Sequence, residues 1–98
     1  MTSVASRAAS IAVDLVDGDR NEAYGHPLDD FSRTAQIWSA ILGHDITPEQ
    51  VALCMVGLKL SREVHAPKPD NTIDAIGYLL TLQMVKEERV RRLLENVR

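Results

Sequence analysis

From Val51 to Tyr78 the chain reads VALCMVGLKLSREVHAPKPDNTIDAIGY, the stretch that most constrains its fold. Its first half places Val51, Ala52, Leu53, Cys54, Met55, Val56, Leu58, Leu60 and Val64 on every side of a helix. Such a helix needs neighbours all round it, so the sequence predicts a central helix within a bundle. Pro67 and Pro69 remove backbone donors and push the residues before them out of helical geometry, so this helix stops by Ala66 and a second one follows the hinge. Asp70 or Asn71 is the expected cap of that second helix, with Asp74 in its first turn. Its apolar face is Ile73, Ile76, Leu80 and Met84, and the period continues through Val90, Leu93 or Leu94, and Val97. A helix that long in so small a protein reaches beyond its own core, which predicts packing against another subunit.

The remaining elements follow the same logic. Val4, Ala8, Ile11 and Leu15 recur at helical spacing and Gly18 ends them, giving a short amphipathic first helix. Residues 19–27, DRNEAYGHP, are polar and contain Gly25 and Pro27, and are expected to form a loop. Pro27 suits the first turn of the next helix, Asp29 and Asp30 complement its dipole, Phe31, Ala35, Trp38 and Leu42 form its buried stripe, and Gly43 ends it. Thr47, Pro48 and Gln50 make a capping box that starts the Val51 helix, with Ile46 stapled onto Val51. No alternating strand pattern or hairpin dipeptide is present. The expected fold is all-α: one four-helix, bundle-like domain over residues 1–98 with a central apolar helix and a long C-terminal helix, assembled as a homodimer or higher homo-oligomer.

Charge narrows the partners. The net charge is −3, with three Arg and eight acids in residues 1–50 and eight Lys or Arg and six acids in residues 51–98. That balance lacks the basic excess of a DNA- or RNA-binding domain, but leaves room for a local cationic pocket. The single cysteine, Cys54, excludes a disulfide framework. No window reaches the ~18 uninterrupted apolar residues of a membrane span, and the first ten residues lack a signal-peptide core. A soluble, cytoplasmic protein is expected.

Two polar clusters are the candidate sites. Across a hairpin hinged at 65–69, Arg62 and Asp74 are expected at one height, with Lys59 near Tyr78. Either Lys59 and Arg62 pair with Asp74 and Asp70 to hold the helices together, or these groups form a pocket for a phosphate-bearing ligand. The second cluster is the loop bearing Arg20, Glu22, Tyr24 and His26, which either serves as a turn into the next helix or offers Tyr24 for stacking and His26 for a phosphate. The expected ligand-binding set is therefore Arg20, Tyr24, His26, Lys59, Arg62, Asp74 and Tyr78. His44 and His65 form no metal-binding pair and are expected at the surface.

Taken together, Tyr24, Gly25, Asp30, Phe31, Trp38, Lys59, Arg62, Asp70, Asp74, Gly77 and Tyr78 resemble the pattern of a family of small phage and prophage proteins of unassigned function, over roughly residues 20 to 82. A more distant resemblance is to the all-α, MazG-like nucleotide pyrophosphohydrolases. NTIDAIGYLLTL is similar to their ExxD motif, with Asp74 at the Asp position and Asn71 where Glu belongs. This resemblance implies an enzyme in which Glu63, Asp70 and Asp74 hold catalytic Mg²⁺. Because Lys59 and Arg62 stand among those acids, the charges favour an anion over a dication. The first expectation is a helical protein binding a nucleotide or nucleotide-derived small molecule. The alternatives are the Mg²⁺-dependent hydrolase and a protein-interaction module using the charged C-terminal helix.

Overall fold

The computed structural model describes residues 3–97, apart from the side chains of Asp19 and Arg20. Among the described residues all regular structure is helical: α1 (Val4–Asp17), α2 (Asp19–Tyr24), α3 (Pro27–Leu42), α4 (Pro48–His65) and α5 (Pro69–Asn96). The helix starts follow local chemistry. Ser3 caps α1 by accepting the Ser6 N–H. Thr47 and Gln50 form the reciprocal box at α4, where the Gln50 N–H donates to Thr47 Oγ1 at 3.1 Å and the Thr47 N–H donates to Gln50 Oε1 at 2.9 Å. Gly43 closes α3 in the left-handed conformation, with φ 66°.

Three features differ from the sequence expectation. The segment expected as a loop is helical over Asp19–Tyr24. Its breakers, Gly25 and Pro27, follow the DRNEAY run rather than interrupt it, and the Gly18 carbonyl accepts the Glu22 N–H to start the turn. Gly25 then leaves the helix at φ 81°, a conformation that L side chains rarely adopt.

The start of α5 also differs. Neither Asp70 nor Asn71 caps it: Pro69 occupies the first turn, Lys68 is the extended N-cap residue without a side-chain cap, and Asp74 falls in the second turn. Asn71 is instead buried, donating through Nδ2 to Glu63 Oε1 (3.2 Å) and to the Ala66 carbonyl (3.3 Å). Glu63 Oε1 also accepts the Lys68 N–H at 3.0 Å, so one carboxylate clamps the hinge.

Finally, α5 is the central helix, not α4. It packs on α1, α3 and α4, whereas α4 touches only α3 and α5. The apolar circumference of α4 exceeds what two neighbours can cover: Val51 and Ala52 are buried, while Leu53, Leu60 and Val64 are exposed.

The core joins α3, α4 and α5 through Phe31, Ala35, Val51 and Ala52, with Trp38, Ile46, Tyr78 and Leu82 packed against them. A second layer sets α1 on α5. There a Cβ on Gly77 would lie 3.6 Å from Val16 Cγ2, an ordinary contact, so Gly77 faces α1.

Ion pairs fasten the far half of α5. Arg92 grips both oxygens of Asp29 at 2.7 and 2.9 Å, and Arg89 forks onto Glu49. Glu88 accepts from Arg91 and Arg92, and these two guanidinium groups hold its carboxyl down to about 2. The Arg92 hydrogen bond likewise lowers Asp29. Both carboxylates titrate below their unfolded range, so their contribution to stability is complete above about pH 4.5 and is lost as pH falls towards 2. Urea midpoints should therefore drop progressively between pH 4.5 and 2, and Arg92→Met should flatten that drop.

Candidate functional site

The hinge between α4 and α5 presents the clearest recess. The Ala66 N–H still closes the last turn of α4 on the Arg62 carbonyl at 2.9 Å, after which the two prolines turn the chain into α5. Around this corner lies an open cleft of about 380 Å³ lined by Ser61, Arg62, His65, Ala66, Lys68 and Asn71. The lining contains no carboxylate. Two acids adjoin lining residues in sequence: Glu63 has one oxygen engaged by the Lys68 N–H and Asn71, and Asp70 is exposed in the first turn of α5. Arg62 and Lys68 form no ion pair among the described residues. Arg62 and His65 also suit the negative end of the α4 dipole, a general stabilising role. Lys68 stands outside that helix and has no such role.

One step deeper, Lys59 Nζ meets Asp74 Oδ2 at 2.9 Å, with side chains 14% and 23% exposed. The hairpin register therefore sets Asp74 opposite Lys59 rather than Arg62. Tyr78 does not stand free beside Lys59. Its ring packs on Phe31 with centroids 6.3 Å apart, in the core.

The other predicted cluster lies elsewhere. His26 caps α3, its Nδ1 accepting the Leu28 N–H at 3.0 Å. The ring proton is therefore on Nε2, which faces Glu88 at 4.0 Å. Tyr24 is 58% exposed and its carbonyl accepts from Arg33 at 3.0 Å. The side chain of Arg20 lies outside the described residues. One recess beside this turn, lined by Val16, Asn21, Gly25, Pro27, Asp30, Phe31 and Thr81, measures about 20 Å³, room for a single water, and a second, open one of about 240 Å³ is lined by His26, Met84, Glu87, Glu88 and Arg91, with two carboxylates in its wall. His26 meets α5 at Glu88 and the hinge cleft meets it at Asn71, a separation of about 25 Å along the helix. The six expected ligand residues whose side chains are described therefore do not line one pocket.

The three expected metal ligands are likewise dispersed in their commitments. Asp74 is held by Lys59, Glu63 by Asn71 and the Lys68 N–H, and Asp70 is exposed in the first turn of α5. Among the described residues no three His, Cys, Asp or Glu side chains are gathered to hold a metal ion. Lys68, which lines the cleft, is legible in the sequence only as part of the hinge. Sequence reasoning missed the Arg92–Asp29 and Arg89–Glu49 clamps.

Fold and site thus define a small all-α domain with a cationic corner between two helices. The chain belongs to the family of the domain of unknown function DUF6378, whose model matches residues 8–86. It is 32% identical over 83 residues to the Gene 55 protein of Mycobacterium phage L5, covering 80% of this chain and 53% of that protein. Against the Gene 55 protein of Mycobacterium phage D29 it is 32% identical over 77 residues, covering 78% and 51% respectively. The expected kinship with phage proteins of unassigned function holds, and the chain spans about half the length of these relatives. No solved structure gives a significant match. Among the described residues no helix is long and apolar enough to cross a membrane.

Proposed function

We propose that this domain binds a phosphorylated small molecule, of nucleotide charge and size, in the cleft at the α4–α5 hinge. The observation that carries this reading is the convergence of Arg62, Lys68 and His65 on one recess whose lining holds no carboxylate, with Arg62 and Lys68 forming no ion pair among the described residues. Its volume of about 380 Å³ falls within the ordinary range of small-molecule sites. Arg62 supplies a planar fork suited to phosphate oxygens and Lys68 a mobile point charge. Ser61 supplies a neutral hydroxyl at the wall, while Asn71, its Nδ2 engaged by Glu63 and the Ala66 carbonyl, shapes the corner. Lys59 contributes through Asp74, by holding the two helices at the spacing that opens the corner, and does not itself meet the ligand.

Calorimetric titration with a panel of nucleoside mono-, di- and triphosphates tests this. Wild type should bind at least one of them. Arg62→Ala and Lys68→Ala should each weaken binding by about 1.5 kcal/mol, roughly tenfold in Kd, while Tyr24→Ala leaves it unchanged. Binding should persist in EDTA, because side chains rather than a metal supply the positive charge. No binding across the panel, or unaltered affinity in both cleft variants, contradicts the reading.

A further inference from the structure

We infer that the outward face of α4 is the contact surface for a second copy of this chain. Leu53, Gly57, Leu60 and Val64 follow one another at spacings of four, three and four residues, the seam spacing of two helices packed knobs into holes. The seam faces away from buried Val51 and Ala52, and its leucines and valine are 51%, 57% and 86% exposed. From Leu53 to Val64 the seam itself carries no charge; Cys54 and Ser61 flank it on one side and Val56 and Glu63 on the other, with Glu63 engaged at the hinge by the Lys68 N–H and Asn71. Charge-free composition of this kind marks the centre of protein interfaces rather than ordinary surface.

Gly57 adds a second observation. Glycine weakens a helix interior, yet among the described residues no atom beyond its chain neighbours and the adjacent turns of its own helix backbone comes within 4 Å of where its Cβ would sit, so the packing of this chain does not need the missing side chain. Another backbone approaching closely from outside would use that space.

Surface area identifies the occupant. The chain exposes 6783 Å². A compact monomer of its 10.9 kDa mass exposes about 5,600 Å², so roughly 1,200 Å² is in excess. Summed over the whole chain, that excess is of the size that one protomer contributes to an obligate dimer interface, which buries upward of about 2,000 Å² in total. The radius of gyration agrees, at 15.0 Å against about 13 Å for a compact domain of this length. A two-fold pairing of an uncharged face sets no like charges against each other. A lipid surface fits less well, because a membrane-lying helix carries Lys and Arg beside its apolar face.

Sedimentation from 1 to 100 µM, with thermal melts over the same range, decides this independently of the cleft. Wild type should sediment at twice the 10.9 kDa protomer mass, with a Tm that rises by roughly 5 °C or more over the hundredfold range. Leu60→Glu should weaken the dimer at least a hundredfold, whereas Ile37→Glu, an equally exposed apolar site on α3, should not. A Leu60→Glu chain that fails to fold, beside a concentration-dependent wild-type Tm, equally supports an obligate dimer. A monomeric wild type with a flat Tm, or a dimer that Leu60→Glu leaves intact, overturns the inference.

Discussion

Phe31→Ala lowers the free energy of unfolding by about 3 to 4 kcal/mol, read from urea transitions with an unchanged slope. The ring is 9% exposed and lies where α3, α4 and α5 meet, against Ala35, Val51 and Ala52 on one side and the Tyr78 ring on the other. Truncation removes the transfer energy of a phenyl group and leaves a void. Helices anchored at both ends, by the Thr47 capping box and by the Arg92–Asp29 clamp, cannot readily close that void. Because a small domain has only about 5–15 kcal/mol in all, this single change removes a large share. A loss below about 1 kcal/mol would mean that this layer is not the core.

Lys59→Met, the second large effect, destabilises by about 2 to 3 kcal/mol. Stranding one partner of a fully buried pair costs about 3 to 5 kcal/mol. The 14% and 23% exposure of Lys59 and Asp74 leaves some solvent screening and reduces that figure. Asp74→Asn should act in the same direction, since it leaves the ammonium without a carboxylate. The double change Lys59→Met with Asp74→Leu should recover most of the loss, because a matched apolar pair leaves no charge behind. A double variant no more stable than either single one would refute the pairing.

Local signals were legible in the sequence wherever the chemistry itself was local. The Thr47–Gln50 box, the Gly43 stop, and Phe31, Ala35 and Trp38 of the α3 stripe each act within a turn or two and stand where their spacing places them, whereas Leu42, expected on the same buried stripe, is 64% exposed at the end of the helix. The hairpin register was not legible, because it depends on whether Pro69 lies outside α5 or within its first turn. That small difference moves Asp74 from Arg62 to Lys59. The Arg92–Asp29 clamp joins residues 63 apart and leaves no local trace, although the Glu88–Arg91 and Glu88–Arg92 spacings do mark a charged helix face. Periodicity named every apolar residue of α4 but could not say that only two helices would cover it. The site was half legible: Arg62 carried a recognisable signal, whereas Lys68 gains its place from the turn of the chain. In the YGHP segment His26 Nδ1 caps α3, the turn role that the sequence offered as one of its two readings.

The central claim is that ligand phosphate meets the α4–α5 corner. Backbone amide NMR during titration with a nucleoside triphosphate tests it most directly. Shifts confined to residues 61–71 and saturating with ligand, with Tyr24, Gly25 and the α3 start unmoved, are the predicted result. Saturating shifts centred on residues 20–26, or none anywhere at millimolar ligand, would contradict it.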